Sequence, residues 1–384
     1  MSLVCTELRL RDYRNFEELR LELPAAGAAI VGDNGSGKTN LVEALYYLEI
    51  FRSFRGAADD QLVRFGAPAF FIRGTFEDRV RDRRFELTAA YEPRTRTKRI
   101  TLDGVEPERV GDALGRLGAV VFSPSDLEIV AGSPGERRRF LDIMLSLNVP
   151  GYLAAAQRYR QLLRHRNAML RSGSDDTVIE AFDEQLIAAG SQVIVTRAGW
   201  VADHAARFAE LYREISDGVC ARLGYAADVP FEGGDAPDAA AAFRARLERV
   251  ARSERERGVT LAGPHRDDLS ITVQAAEGAV ELRQYGSGGQ LRTAAIALRL
   301  IESDTILAAR GHRPLMLLDD VFAELDPGRS RRILRLFQEG AHGQVLLTAP
   351  KESDVQLEAL AGDGVGDVAH WRIAAGRLSA GSRA

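Results

Sequence analysis

Lysine is nearly absent from this 384-residue chain: Lys38, Lys98 and Lys351 are the only three among 51 basic residues. A lysine at a chemically demanding position therefore stands out against the arginine background. Cysteine is scarcer still. Cys5 and Cys220 are isolated and lack ligand-like spacing, which argues against a disulfide framework or a cysteine metal site. Long apolar runs are missing, so no stretch reads as a bilayer-spanning segment, and Met1 to Leu10 lack the basic start and apolar core of a secretory signal. The expectation is a cytoplasmic protein without a membrane partner. Net charge is only −4, which excludes a uniformly basic nucleic-acid coat and leaves local patches open.

What is present is ordinary globular material, 45% hydrophobic and 28% charged. The length exceeds what one core usually serves, so a large domain with an insertion, or two domains, is expected. Short alternating patterns at Leu8–Tyr13, Phe16–Leu23 and Ala28–Val31 predict strands, and Leu41–Phe51 turns helical. Strands are again predicted at Ala69–Phe76, Arg84–Tyr91, Arg99–Leu102 and Gly118–Phe122, with Asp103-Gly104 as turn chemistry. After Gly132-Ser133-Pro134 the texture becomes helical until about Tyr225. Its apolar stripes run through Phe140, Ile143, Met144 and Leu147, then Tyr159, Leu162 and Leu163, then Val178, Phe182 and Leu186. An acidic loop, a charged helix at Ala239–Gly258 and strands at Leu269–Val273 and Val280–Leu282 follow, and the tail from Ser379 reads as disordered. The division expected is a head from 1–134 and 226–384 with a helical arm, 135–225, inserted between its halves.

Gly32-Asp33-Asn34-Gly35-Ser36-Gly37-Lys38-Thr39 fits the complete G-x-x-x-x-G-K-[ST] pattern between a strand and a helix. Glycines let backbone amides turn toward phosphate oxygens, Lys38 reaches the β and γ phosphates, and the Thr39 hydroxyl is placed to ligate Mg²⁺. One of three lysines thus stands where a compact ammonium is needed. Leu315-Met316-Leu317-Leu318-Asp319-Asp320 is an apolar run ending in two carboxylates, so Asp319 is expected to support the metal and Asp320 to act on the attacking water. Upstream, Ser287-Gly288-Gly289-Gln290 opens a helical pattern and offers a second anion-binding surface, although such a cluster alone is more often a simple helix cap. Ala323-Glu324-Leu325-Asp326 comes directly after the carboxylate strand.

This ordered trio resembles the ABC-type ATPases, including their chromosome-maintenance branch. The resemblance implies an α/β head with an inserted helical arm, in which the Ser287 cap of one subunit closes over ATP held by the Lys38 loop of another. It also makes Asp326 part of the loop between two sites and puts Thr348 where a γ-phosphate-sensing histidine often stands. About 250 residues lie between Thr39 and Ser287, more than a compact transporter ATPase needs and fewer than a long coiled coil requires.

Several stretches are closely similar to the bacterial RecF family of recombination mediator ATPases. They are Leu10-Arg11-Asp12-Tyr13-Arg14-Asn15-Phe16, the phosphate loop through Leu41, Gly135 to Asp142, Gly263-Pro264-His265-Arg266-Asp267-Asp268, and Asp319 to Asp326. Two positions depart from the family habit: Gly288 replaces a frequent glutamine and Ala323 a frequent serine, the latter weakening coupling between sites on this reading. Membership implies slow, DNA-stimulated ATP hydrolysis, an ATP-induced homodimer on duplex DNA or duplex–single-strand junctions, and assistance to RecA loading with RecO and RecR in DNA repair, replication and the SOS response. The alternative is the ATPase subunit of an ABC transporter. Arg137, Arg138, Arg139, Arg158, Arg160, Arg164 and Arg166 form a basic tract suited to DNA phosphates, or a solvated helix face. Arg52 and Arg55 are weaker candidates. His265 reads as structural or nucleotide-adjacent, since no second histidine has ligand spacing.

Overall fold

The computed structural model describes residues 3–232, 234–275, 278–322, 325–339, 343–351 and 368–380. Packing divides them into two compact units, one from 1–126 with 302–384 and the other from 127–301.

The first unit opens with β1 (Leu3–Tyr13), β2 (Phe16–Glu22), β3 (Gly27–Val31) and α1 (Lys38–Ile50). In β1, Leu8 and Leu10 are buried while Arg11 is exposed, the period of a half-covered strand. Tyr13 pairs with Phe16 across a two-residue turn, and Arg14 in that turn takes a positive φ of 53°. Then come β4 (Phe70–Asp78), β5 (Arg83–Glu92), β6 (Thr97–Leu102), the single turn α2 (Val110–Ala113) and β7 (Ala119–Phe122). An antiparallel sheet joins β2-β1-β4-β5-β6.

The second unit holds α3 (Leu127–Ala131), α4 (Pro134–Asn148), α5 (Tyr152–Ser172), α6 (Asp176–Ile215), β8 (Ala221–Ala226), α7 (Ala236–Arg257), β9 (Asp268–Ala275), β10 (Gly278–Glu281), the turn α8 (Leu282–Tyr285) and the start of α9 (Gly288–Arg310). Gly173, at φ 67°, closes α5, and the Asp175 carboxylate caps α6 through the Thr177 amide. The core stripe of α6 matches the expected one at Leu186, which is buried, and at Phe182, which packs against the core, but not at its start: Val178 is exposed and Ile179 is buried instead, with Ile187 and Ile194 also facing inward. Leu186, Ile187 and Ile194 join Tyr159, Leu162, Val229, Phe243 and Leu247 in one cluster, with Phe182 packed against it.

That cluster explains a difference in domain boundaries. Residues 226–301 were expected to belong with the head, but β8 pairs with β9, and Phe243 and Leu247 of α7 pack on α5 and α6. The compact units therefore part at 126/127 and 301/302 rather than at 134/135 and 225/226.

The first unit resumes with β11 (Leu315–Asp319), α10 (Pro327–Glu339), β12 (Val345–Ala349), β13 (Ala369–Ala374) and β14 (Arg377–Ala380). Its second sheet has the order β14-β13-β3-β12-β11-β7, parallel except for β14. All five residues of β3, β11 and β12 are buried, as continuous apolar strands covered on both faces should be. Ser379 and Ala380, expected to be disordered, pair in β14 with Arg372 and Trp371. Residues 381–384 lie outside the described residues.

Candidate functional site

β3, β12 and β11 end side by side: Ala349 lies beside Val31, and Asp319 beside Thr348. Open parallel sheets bind ligands at this carboxyl edge. The loop 32–39 leaves β3 there, with Gly35 and Gly37 at φ 81° and 115°, so its amides can turn inward where a side-chained residue would be strained. Lys38 opens α1, only 4% exposed. Its ammonium donates to the carbonyls of Gly32 (2.6 Å) and Asp33 (3.2 Å) and lies 4.0 Å from Asp320. The buried Ser36 hydroxyl has no hydrogen-bond partner among the described residues. An ammonium resting on backbone carbonyls and a hydroxyl with nothing to bond fit a phosphate group, which would accept from both.

The Thr39 hydroxyl donates to Asp319 Oδ1 at 3.0 Å, and the Thr348 hydroxyl donates to the same oxygen at 2.8 Å. Burial pushes the Asp319 carboxyl above the usual carboxylate range against the pull of these two hydroxyls, and the Asp320 charge pushes the same way. Hard oxygen donors on a carboxylate starved of solvent suit a divalent cation. Asp320, at φ 49°, receives through its amide the Thr348 carbonyl (3.3 Å) and hydroxyl (3.1 Å) as acceptors. Thr348, which stands where a sensing histidine is common, thus fixes both aspartates.

Sequence reasoning missed the shell around this loop. Glu43 of α1, fully buried, is held by Arg14 through two bonds of 2.8 and 2.9 Å and by the Ser53 hydroxyl. Ser53 also caps the Arg55 amide at 3.1 Å, and the Arg55 guanidinium reaches back to Asn40 Oδ1 at 3.4 Å. Its charge is the weakest of the influences on the Asp319 carboxyl, a downward pull that burial outweighs. Lys98 is structural: it donates to the Phe51 carbonyl and pairs with Asp59.

Ser287 and Gln290 cap α9. The Ser287 hydroxyl accepts from the Gln290 amide (3.3 Å) while the Gln290 side chain accepts from the Ser287 amide (2.8 Å), a reciprocal box. Ser287 and Gly288 remain exposed at the start of this 23-residue helix. Asp326 caps α10 through the amides of Gly328 and Arg329, and those contacts hold its carboxyl below the usual range. Ala323 and Glu324 lie outside the described residues.

The basic tract separates into two kinds of arginine. Arg137 is 2% exposed and grips Asp268 with bonds of 2.5 and 2.9 Å, donating also to the carbonyls of Val130 and Gly132. Arg166 is 3% exposed, paired with Asp183 and the fully buried Glu254. Both expectations of DNA contact are corrected: these guanidiniums are spent on internal carboxylates. Arg138 is half-buried and donates to the Asp267 carbonyl, whereas Arg139, Arg158, Arg160 and Arg164 are exposed. His265 receives the Tyr159 hydroxyl contact at 2.7 Å and meets the Thr260 carbonyl at 3.1 Å, so it ties α5 to its own segment. Gly263 admits this packing. A Cβ there would stand 2.5 Å from the Tyr159 hydroxyl.

With the geometry in hand, three comparisons are informative. A family profile described as the RecF/RecN/SMC N terminal domain matches residues 4–360. The chain is 37% identical to the DNA replication and repair protein RecF of Salinibacter ruber, covering 90% of this chain and 84% of that one. It is 40% identical to the protein of the same description from Anaeromyxobacter dehalogenans, covering 85% and 87%. Among solved structures, one titled as the recombination mediator protein RecF-ATP in the RecFOR pathway is similar with a TM-score of 0.88 at 28% identity, over 99% of this chain and 98% of that one. An Smc head domain from Pyrococcus furiosus, at 17% identity and a TM-score of 0.57, shares the fold. The head is thus of the ABC ATPase type.

Proposed function

The chain belongs to the RecF family of DNA replication and repair proteins, and from that premise we propose that it is an ATP-controlled switch whose nucleotide-bound dimer holds DNA. One observation carries the reading: Thr39 of the phosphate loop and Thr348 of β12 converge on one oxygen of Asp319, so cradle and metal carboxylate are already joined.

Gly32 to Thr39 would hold the nucleotide phosphates, with Lys38 turning from backbone carbonyls to phosphate oxygens. Thr39 and Asp319 would ligate Mg²⁺, which when bound neutralises phosphate charge and holds the Asp319 carboxyl ionised. Asp320, fixed through its amide by Thr348, would take the proton of the attacking water. Ser287 with the amides of Gly288 and Gly289, and Gln290 beside them, would cap the γ-phosphate bound to a second copy, because an exposed helix N-terminus attracts anions. Two sites then form only when two copies meet, and slow hydrolysis, stimulated by DNA, releases them.

DNA phosphates would be met by Arg139, Arg158, Arg160 and Arg164, with Arg138 partly available. Arg160 and Arg164 are one helical turn apart on α5, Arg171 continues their line within about 40° of arc, and α5 carries no carboxylate. The DNA would be duplex or a duplex–single-strand junction, and the protein would cooperate with RecO, RecR and RecA at gaps, a reading supported by family membership and by the RecFOR pathway named for its solved relatives.

Nucleotide-dependent dimerisation tests this reading. Light scattering of the wild type with ATP and Mg²⁺ should double the mass, and Lys38→Met should stay monomeric. A Lys38→Met protein that dimerises with ATP as the wild type does would remove the phosphate loop from the account.

A further inference from the structure

The phosphate loop is held from outside by the two ends of the chain. The Ser36 carbonyl accepts from Asn15 Nδ2 at 2.9 Å and from the Gly376 amide at 3.1 Å. Asn15 comes from the β1–β2 turn and Gly376 from the turn between β13 and β14, so the first and the last hairpins close on one peptide group. A second contact aims the Asn15 amide: its Oδ1 accepts from Asn40 Nδ2 at 2.8 Å, which leaves Nδ2 toward the loop.

The space around this junction is tightly filled. A Cβ on Gly37 would stand 2.6 Å from Asn15 Nδ2, and one on Gly376 would stand 2.9 Å from the Asn15 carbonyl. Both glycines also have positive φ, 115° and 75°. They are glycines for conformation and for closeness to Asn15 together.

In a planar trans peptide the carbonyl and the following N–H point in opposite directions. Anchoring the Ser36 carbonyl outward therefore aims the Gly37 N–H inward, toward the phosphate-binding side. Two donors on one carbonyl also polarise the peptide and strengthen that N–H as a donor.

We propose that Asn15 and the Ala375–Gly376 turn form a clamp on the Ser36 carbonyl that sets the aim of the Gly37 amide and with it the loop's affinity for nucleotide phosphate. This rests on the loop being the nucleotide site, as proposed above. Asn15 is then a positioning residue, acting through a peptide and touching no ligand. The last hairpin becomes part of the nucleotide site as well, through an element distant from the loop in sequence.

Asn15→Asp tests the clamp because it keeps the shape of the side chain while replacing the donor with a charged acceptor facing the Ser36 carbonyl. Asn15 is an exposed turn residue, so the substitution leaves the core untouched. Titration of the full chain with fluorescent ATP and Mg²⁺ should show affinity reduced by about tenfold, the effect of losing one well-placed bond to a charged ligand's donor. The KM for ATP should rise by the same factor with kcat kept, since the amide holds phosphate equally before and during reaction. Asn40→Ala, which removes the buttress of Asn15 along with the long Arg55 contact to Asn40 Oδ1, should give a smaller loss in the same direction. Melting of the nucleotide-free protein should stay within about 2 °C of wild type for both.

Wild-type affinity in Asn15→Asp would overturn the proposal, and so would a loss of affinity matched by an equal loss of nucleotide-free stability. Lys38→Ala separates the two readings. If it abolishes binding while Asn15→Asp does not, the clamp fails and the loop stands; if Lys38→Ala binds normally, the loop assignment itself fails.

Discussion

Asp320 differs from Asp319 in what surrounds it, and the difference assigns their tasks. Asp319 is buried and bonded by two hydroxyls, a setting for a cation, while Asp320 is fixed by its backbone and lies nearer Lys38. Asp320→Asn should therefore dimerise with ATP yet persist as a dimer, its single-turnover hydrolysis slowed at least about a hundredfold as for removal of a general base. Hydrolysis at the wild-type rate would deny Asp320 that role. His265 permits a pH prediction. Burial lowers its imidazole to about 4, so the folded protein leaves it neutral where the unfolded chain would protonate it. Between the ordinary value near 6.5 and about 4 the unfolded state binds more protons, so stability falls as pH falls through that window. Melting of His265→Gln should decline less over the same interval than that of the wild type. Lys38, Thr39 and Asp319 were legible in the sequence because their motifs are local. Thr348 could be placed near the site but not its bond to Asp319, and the Asn15 contact with the Ser36 carbonyl could not be read at all, since both form across a fold that spacing does not reveal.

α5 shows what a run of arginines conceals. Counted in sequence, Arg158 to Arg166 form one tract, but on a helix Arg166 falls between Tyr159, Leu162 and Leu163, inside the apolar stripe already predicted. In α4 Arg137 likewise shares a face with Phe140, Leu141 and Met144. A cation in the middle of an apolar stripe signals a buried ion pair, and that signal was present. Truncating one partner of such a pair strands a charge. Arg166→Ala, leaving Glu254 uncompensated, should lower unfolding stability in urea by about 3 kcal/mol or more. The combined Arg160→Ala and Arg164→Ala substitution should leave stability nearly unchanged, weaken duplex binding by gel shift, and reduce the salt slope by roughly two. Stability loss in the second protein, or unchanged binding, would move the DNA contact off α5. The strands of the head were readable from alternation, whereas the stripe of α6 was readable only in part: Phe182 and Leu186 face the core as expected, and Val178 does not. Its 40 residues carry apolar side chains on more than one face, and only the packing against Tyr159 and Phe243 selects among them.

At the scale of the whole molecule, residues 226–301 were misassigned for a related reason: β8 and β9 pair across the span of α7, a link between segments that composition does not encode. The ordering of phosphate loop, Ser-Gly-Gly-Gln and twin aspartates along the chain was legible, and it is this ordering that suggests one site assembled from two copies. Complementation examines that directly. Lys38→Met loses the cradle, and Ser287→Arg loses the cap at an exposed position. Mixed in equal amounts with ATP, Mg²⁺ and gapped duplex DNA, the two variants should yield dimers by light scattering and recover hydrolysis, because one of the two shared sites is then intact, while neither variant does so alone. Full activity of Ser287→Arg by itself, or a mixture as inert as its components, would contradict the shared site.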